Sequence, residues 1–122
     1  MRAELIAATQ RRESGQAQKL IDEFVRQARE VGLVPVALRA RTTSGQVVTT
    51  NVQGWYIKAD HSVAVGTDGG YYLLTVFGGL GAKLRGVSLQ PTPPPLIVGR
   101  GGKDGESGDL KDFLGRTLDG VA

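Results

Sequence analysis

The sequence predicts an α+β fold: an N-terminal amphipathic helix, an antiparallel meander of five or six strands, and a short C-terminal helix. Three observations predict it. Apolar residues recur at spacings of three and four in the first part of the chain, they alternate with polar residues in its middle, and the helical spacing returns near the end. A chain of 122 residues is expected to form one domain, residues 1–122.

The N-terminal helix is predicted from an apolar stripe that ends at a glycine. Gly32 suits the left-handed position just past a helix end, and Leu33 can then pack back on Ala28. These features together predict a helix end near residue 31. The stripe consists of Ala17, Leu20, Ile21, Phe24, Ala28 and Val31.

The start of this helix has two alternatives. Gly15 costs a helix interior about 1 kcal/mol, so the first half of any long helix is weak. Either one helix covers residues 3–31, or Ser14 caps a shorter helix and residues 1–13 are loosely ordered. We favour the long helix.

The first hairpin is predicted from alternation around the sequence TTSGQ. A loop of three residues, 43–45, places Gly45 in the left-handed position that such hairpins need. This loop predicts three apolar or small pairs between the first two strands, namely Ala40 with Val48, Leu38 with Thr50 and Val36 with Val52.

Two further turns extend the meander. If Trp55 is to share the buried face of Val48, a bulge is needed, and Gly54 is its natural place. A loop over residues 59–61 then pairs Trp55 with Val65. A two-residue turn centred on Asp68-Gly69 pairs Val65 with Tyr72 and Val63 with Leu74. The sequence therefore predicts one buried face against the helix, formed by Trp55, Ile57, Val63, Val65, Tyr72, Leu74 and Val76.

The rest of the chain is predicted to form short strands and a short helix. Val87 and Leu89 begin a fifth strand, residues 91–95 form an extended proline-rich segment, and residues 96–98 form a short sixth strand. Asp109 is the predicted N-cap of the last helix. The apolar face of that helix is Leu110, Phe113, Leu114 and Leu118.

This register leaves a second sheet face whose half on the third and fourth strands is too apolar to face water. Tyr71, Leu73 and Phe77 lie on it, and the last helix is too short to cover it. The face must meet that helix, a second subunit or a ligand. We therefore expect a noncatalytic interaction module that forms a homodimer or other homo-oligomer, or binds another protein, through this face or the N-terminal helix.

Composition limits the other function classes. The chain has no cysteine and one histidine, so a cysteine-based or histidine-rich metal site is excluded, and neither a metal nor a cofactor is expected. No catalytic constellation is evident; His61, within DHS, is predicted to lie in a surface turn. The net charge of +3 is too small for a nucleic-acid role to rank above third. We expect a cytoplasmic protein without membrane contact.

The alternative function is anion or small-molecule binding at the glycine-rich loop, residues 99–108. Its sequence fails the phosphate-loop pattern because Asp104 follows Lys103 where a hydroxyl is required. Backbone amides of such a turn can still form an anion nest. The candidate ligand-binding residues are Arg100, Gly101, Gly102 and Lys103, with Arg39 and Arg41 from the first strand.

Three segments also carry a resemblance, namely Gly54-Trp55-Tyr56, Ser62 to Gly69, and Val98 to Ser107. Their pattern, GWY…SVAVGTDG…VGRGGKDGES, resembles a family of small uncharacterised actinobacterial proteins over roughly residues 33–115. The family has no assigned activity, so the resemblance implies no catalytic residues. It implies only that the glycine-rich segment has a role beyond that of a linker.

Overall fold

The structure, a computed structural model, describes residues 2–78, 85–99 and 107–120. It confirms the α+β fold, with an N-terminal helix, a mostly antiparallel five-stranded sheet and a short C-terminal helix. The elements are α1 (Arg2–Glu30), β1 (Val36–Thr42), β2 (Val47–Tyr56), β3 (Val63–Gly66), β4 (Tyr71–Leu73), β5 (Thr75–Val76), β6 (Ile97–Val98), β7 (Gly108–Asp109) and α2 (Leu110–Leu118).

Helix α1 confirms the long alternative, and the short helix capped by Ser14 is wrong. The helix ends as predicted: Gly32 has a φ of +74°, and the Leu33 N–H donates to the Ala28 carbonyl at 2.8 Å. Burial begins only at Ala17, so the second half of α1 supplies its packing.

The sheet closes into a small barrel. Its strand order is β4-β3-β2-β1-β5, and only Leu74 separates β4 from β5 in the chain. The Leu74 N–H donates to the Ser62 carbonyl at 2.9 Å, whereas the Leu74 carbonyl accepts the Arg41 N–H at 2.7 Å. Leu74 therefore joins the two edges of the sheet, and β5 runs parallel to β1.

Closure creates two cores where the sequence predicted one. The helix-side core lies between the helices and the outer wall of the barrel and includes Ala17, Ile21, Phe24, Ala28, Trp55, Ile57, Val63, Val65, Tyr71, Val98, Leu110, Phe113 and Leu114. The barrel core is Leu38, Ala40, Val48, Ala64, Tyr72, Leu74 and Leu89. The predicted face is correct for Trp55, Ile57, Val63 and Val65. It is wrong for Tyr72 and Leu74, which belong to the barrel core, and for Val76, which packs against that core.

The β3–β4 turn explains this error. Its loop has three residues, 67–69, because the Gly66 N–H donates to the Gly70 carbonyl at 2.9 Å. Val65 therefore pairs with Tyr71, and Ala64 pairs with Tyr72. The Asp68 carboxylate favours this turn, since it accepts the Gly70 N–H at 2.8 Å and the Tyr72 hydroxyl at 2.6 Å.

The predicted bulge at Gly54 is also wrong. Gly54 pairs regularly with Val36 and with Gly66, so Val36 does not pair with Val52. The irregularity in this pairing lies elsewhere. Ala37 pairs with Gln53 and Arg39 pairs with Thr49, so the extra residues of β2 lie between Thr49 and Gln53. No phase change is needed in β2, because Val48 and Trp55 belong to different cores. The predicted pairs Ala40 with Val48 and Trp55 with Val65 are confirmed.

The C-terminal elements complete the helix-side core. Ile97–Val98 pairs with Gly108–Asp109, and α2 begins directly after Asp109. Asp109 occupies the N-cap position with φ −69° and ψ 135°, but its side chain makes no capping hydrogen bond. Val87 forms a single bridge to Thr50 in place of the predicted fifth strand.

The two buried tyrosines predict a loss of stability in alkali. Burial raises the pKa of Tyr71 to about 12. Burial, and then the hydrogen bond to the Asp68 carboxylate, raises that of Tyr72 to about 12. An unfolded tyrosine has a pKa of about 10. The folded chain therefore holds both protons more tightly. This stabilisation is complete below about pH 10 and is lost as pH rises through about 12.

Urea unfolding at about pH 9 and about pH 11.5 measures this loss. We expect a lower free energy of unfolding at the higher pH, and a smaller difference in Tyr72→Phe, which lacks one of the two protons. Equal differences in the wild type and in Tyr72→Phe contradict the raised pKa of Tyr72.

Candidate ligand-binding cleft

A cleft of about 270 Å³ opens beside β1 and the β2–β3 hairpin. We call it the arginine cleft. Its polar residues come from β1, from the hairpin and from β5, whereas three aliphatic residues form its apolar part. The lining residues are Arg39, Ala40, Arg41, Val47, Tyr56, Asp60, His61, Ser62, Leu74 and Thr75.

Arg39 and Arg41 place two positive charges on one wall of the arginine cleft. They are two residues apart on β1, so strand periodicity directs both away from the barrel core. Arg41 pairs with Val47 on one side and with Thr75 on the other. Within the described ranges, neither guanidinium has an ion-pair or hydrogen-bond partner. Both residues are exposed.

The β2–β3 hairpin forms the opposite part of the cleft and has the predicted loop over residues 59–61. The His61 N–H donates to the Lys58 carbonyl at 3.0 Å, and the Ile57 N–H donates to the Val63 carbonyl at 3.0 Å. His61 is the third loop residue and has a φ of +61°. This left-handed conformation favours glycine and costs another residue about 1 kcal/mol. The hairpin therefore holds a strained histidine at the cleft.

Asp60 is the acidic residue of the cleft, and one of its carboxylate oxygens, Oδ1, accepts two hydrogen bonds within the loop. Its carboxylate accepts the Ser62 N–H at 3.0 Å and the Ser62 hydroxyl at 2.6 Å. Burial alone raises the pKa of Asp60, but the Ser62 hydrogen bonds and the Lys58 charge outweigh it and lower the pKa below its usual value. Asp60 is therefore ionised near neutral pH and is occupied as an acceptor by Ser62.

A stacked pair of rings forms another wall. The imidazole of His61 lies parallel to the phenol of Tyr56, with centroids 3.8 Å apart and an interplanar angle of 6°. The Tyr56 hydroxyl accepts a hydrogen bond from the backbone N–H of Arg39 at 2.9 Å, which fixes the ring against β1. Sequence analysis assigned His61 to a surface turn and did not predict the stack. The signal available was a histidine in the loop position where glycine is preferred.

The structure brings together two of the predicted ligand-binding residues, Arg39 and Arg41. The other four, Arg100, Gly101, Gly102 and Lys103, lie outside the described residues. Gly99, at the start of the glycine-rich loop, lines a different cavity, which also contains Tyr71 and Leu73.

The predicted interface residues do not form one exposed face. Tyr71 is only 3% exposed and belongs to the helix-side core, so its predicted place on an open sheet face is wrong. Leu73 is 50% exposed and Phe77 is 90% exposed. The sheet face opposite the helices is the interior of the barrel, and of strand β4 it is Tyr72 that lies there, not Tyr71 or Leu73. Self-association stays a prediction, and Leu73 and Phe77 are its remaining candidates.

Comparisons with protein-family models, curated proteins and solved structures find no match to this chain. The resemblance to the actinobacterial family therefore stays a prediction. In the part of the chain that the structure describes, no helix has the length and apolar content needed to cross a membrane. The same residues contain no cluster of three or more histidine, cysteine or acidic side chains that could hold a metal ion.

Proposed function

We propose that the protein is a noncatalytic binding module that takes an anionic group in the arginine cleft. One observation carries this proposal: Arg39 and Arg41 line one cavity, and neither forms an ion pair with a described residue. Two guanidinium groups on one strand repel each other, so a bound anion relieves that repulsion as well as accepting hydrogen bonds.

The other donors of the cleft support the same ligand chemistry. Arginine binds carboxylate and phosphate oxygens with paired N–H donors. Thr75 lines the same cavity, and its hydroxyl can add a neutral donor, whereas the Ser62 hydroxyl already donates to Asp60. Asp60 opposes an anion, but its carboxylate already accepts two hydrogen bonds from Ser62. The local balance of two arginines against one aspartate remains positive.

Two further properties belong to the proposal. The absence of cysteine supports a cytoplasmic setting. Self-association or protein binding through Leu73 and Phe77 is a second candidate, supported by the exposure of these two apolar side chains, at 50% and 90%.

Neutralising the two arginines tests the proposal. We expect Arg39→Gln/Arg41→Gln to weaken the binding of inorganic phosphate about a hundredfold at low salt, because a hydrogen bond to a charged group contributes about 1.5–3 kcal/mol. Isothermal titration calorimetry measures the dissociation constant.

The matched control is Arg2→Gln/Arg12→Gln, which removes the same formal charge from exposed positions of α1. It should leave the dissociation constant nearly unchanged. An equal loss in both variants would indicate general charge attraction and would contradict a site at the arginine cleft.

A further inference from the structure

The ring pair of Tyr56 and His61 lines the arginine cleft. One face of the His61 imidazole packs on Tyr56, and within the described residues no other ring contacts the second face. His61 is exposed and lines the cavity together with Arg39 and Arg41. A planar ring that entered the cavity could therefore extend the stack while an attached anion reached the arginines.

The backbone of His61 gives a second reason to look for a ring ligand. Its φ of +61° is a conformation that glycine adopts without strain, so the turn itself does not require a side chain there. The strained residue is nevertheless a histidine whose ring is held parallel to Tyr56 at 3.8 Å. Strain of this kind at a cleft is typical of a residue whose side chain acts in binding.

The presence of two arginines in the cleft favours a phosphate monoester over a carboxylate. One guanidinium satisfies a carboxylate through a bidentate pair, whereas a phosphate monoester carries up to two negative charges and three acceptor oxygens. Arg39 and Arg41 together match the phosphate. The cavity of about 270 Å³ lies just below the range of about 300–1,000 Å³ for small-molecule sites. It therefore suits one compact ligand better than a long polymer.

We propose that the ligand of the arginine cleft is a nucleoside monophosphate, with its base stacked on His61 and its phosphate held by Arg39 and Arg41. This inference rests on the proposed function, because it assumes that the cleft binds an anion. It adds the aromatic part of the ligand and assigns His61, supported by Tyr56, as the residue that selects for it.

The experiment compares AMP with ribose 5-phosphate, which has the same sugar and phosphate but no base. Calorimetry at low salt should give AMP about tenfold tighter binding in the wild type, because stacking of one base on an aromatic side chain contributes about that factor. In His61→Gly the tenfold preference should disappear, while the affinity for ribose 5-phosphate changes less than about twofold.

His61→Gly keeps the left-handed turn accessible, and His61→Asn is a second variant that tolerates the same backbone. Circular dichroism of both variants checks that they fold. In both variants, the dissociation constants for AMP and for ribose 5-phosphate should become nearly equal. A preference for AMP that survives in both folded variants overturns the assignment of His61.

The outcomes separate this inference from the proposed function. Equal wild-type affinities for AMP and ribose 5-phosphate, both lost in Arg39→Gln/Arg41→Gln, overturn the nucleotide and leave the anion site intact. No binding of either compound overturns both. An oligonucleotide that binds more than about a hundredfold tighter than AMP identifies a single-stranded nucleic acid as the ligand and overturns the mononucleotide.

Discussion

Gly54→Ala is expected to lower the free energy of unfolding by about 3 kcal/mol, because β2 has no room for a side chain at this position. An ideal Cβ at Gly54 would lie 2.1 Å from the Val65 carbonyl oxygen and 2.7 Å from the Cα of Gly66. Both neighbours are backbone atoms of β3 and cannot rotate away. The methyl group must therefore separate β2 from β3 at the point where Gly54 pairs with Gly66.

Urea unfolding followed by the fluorescence of Trp55, the single tryptophan of the chain, measures this effect. Gly15→Ala is the matched control, since no atom lies within 4 Å of a Cβ built there. It should stabilise α1 by about 1 kcal/mol. If Gly54→Ala is as stable as the wild type, then β2 and β3 do not approach as closely as the fold requires.

Leu74→Ala is expected to cost about 3 kcal/mol, because Leu74 fills the barrel core at the place where the barrel closes. Its side chain is 1% exposed and belongs to the cluster that includes Leu38, Tyr72 and Leu89. The truncation removes packing from β1, β3 and β4 together. Loss of this packing should also weaken the hydrogen bond that the Leu74 carbonyl accepts from the backbone N–H of Arg41.

The adjacent residue provides the control. Leu73 is 50% exposed and lies outside the barrel core, so Leu73→Ala should cost less than about 1 kcal/mol. Hydrogen exchange of the Arg41 amide should accelerate in Leu74→Ala and not in Leu73→Ala. Similar unfolding free energies for the two variants would contradict a closed barrel.

The elements of this fold were predictable from sequence where their determinants are local. The stripe through Ala17, Ile21 and Phe24 and the glycine at position 32 are short-range signals, and α1 and its end followed from them. The hairpin loop over residues 59–61 followed from the apolar pairing of Trp55 with Val65.

Closure of the barrel was not predictable in the same way. It depends on Leu74 meeting Ser62 on one side and Arg41 on the other, contacts that join residues far apart in the chain. The sequence TDGG permits a loop of two or three residues, and the hydrogen bond from Tyr72 to Asp68 favours the longer one. Because the loop has three residues and not two, Tyr71 lies on the face predicted for Tyr72, and Tyr72 lies on the face predicted for Tyr71.

The site, like the fold, was predictable from sequence only where its determinants are local. Arg39 and Arg41 stand out in sequence as charges on the polar side of an alternating strand. Their partners Tyr56 and His61 are brought to them by the hairpin, and the stack needs the left-handed backbone of His61. Sequence analysis therefore paired the arginines with the glycine-rich loop, which it could identify by composition alone.

The most direct test of the account is a phosphate titration of isotope-labelled protein followed by NMR. The account predicts chemical-shift changes at the side-chain Nε–H groups of Arg39 and Arg41 and at the amides of Ser62 and Thr75, all following one dissociation constant. Changes confined to the glycine-rich loop, at Gly101, Gly102 and Lys103, or no changes at millimolar phosphate, would contradict binding in the arginine cleft.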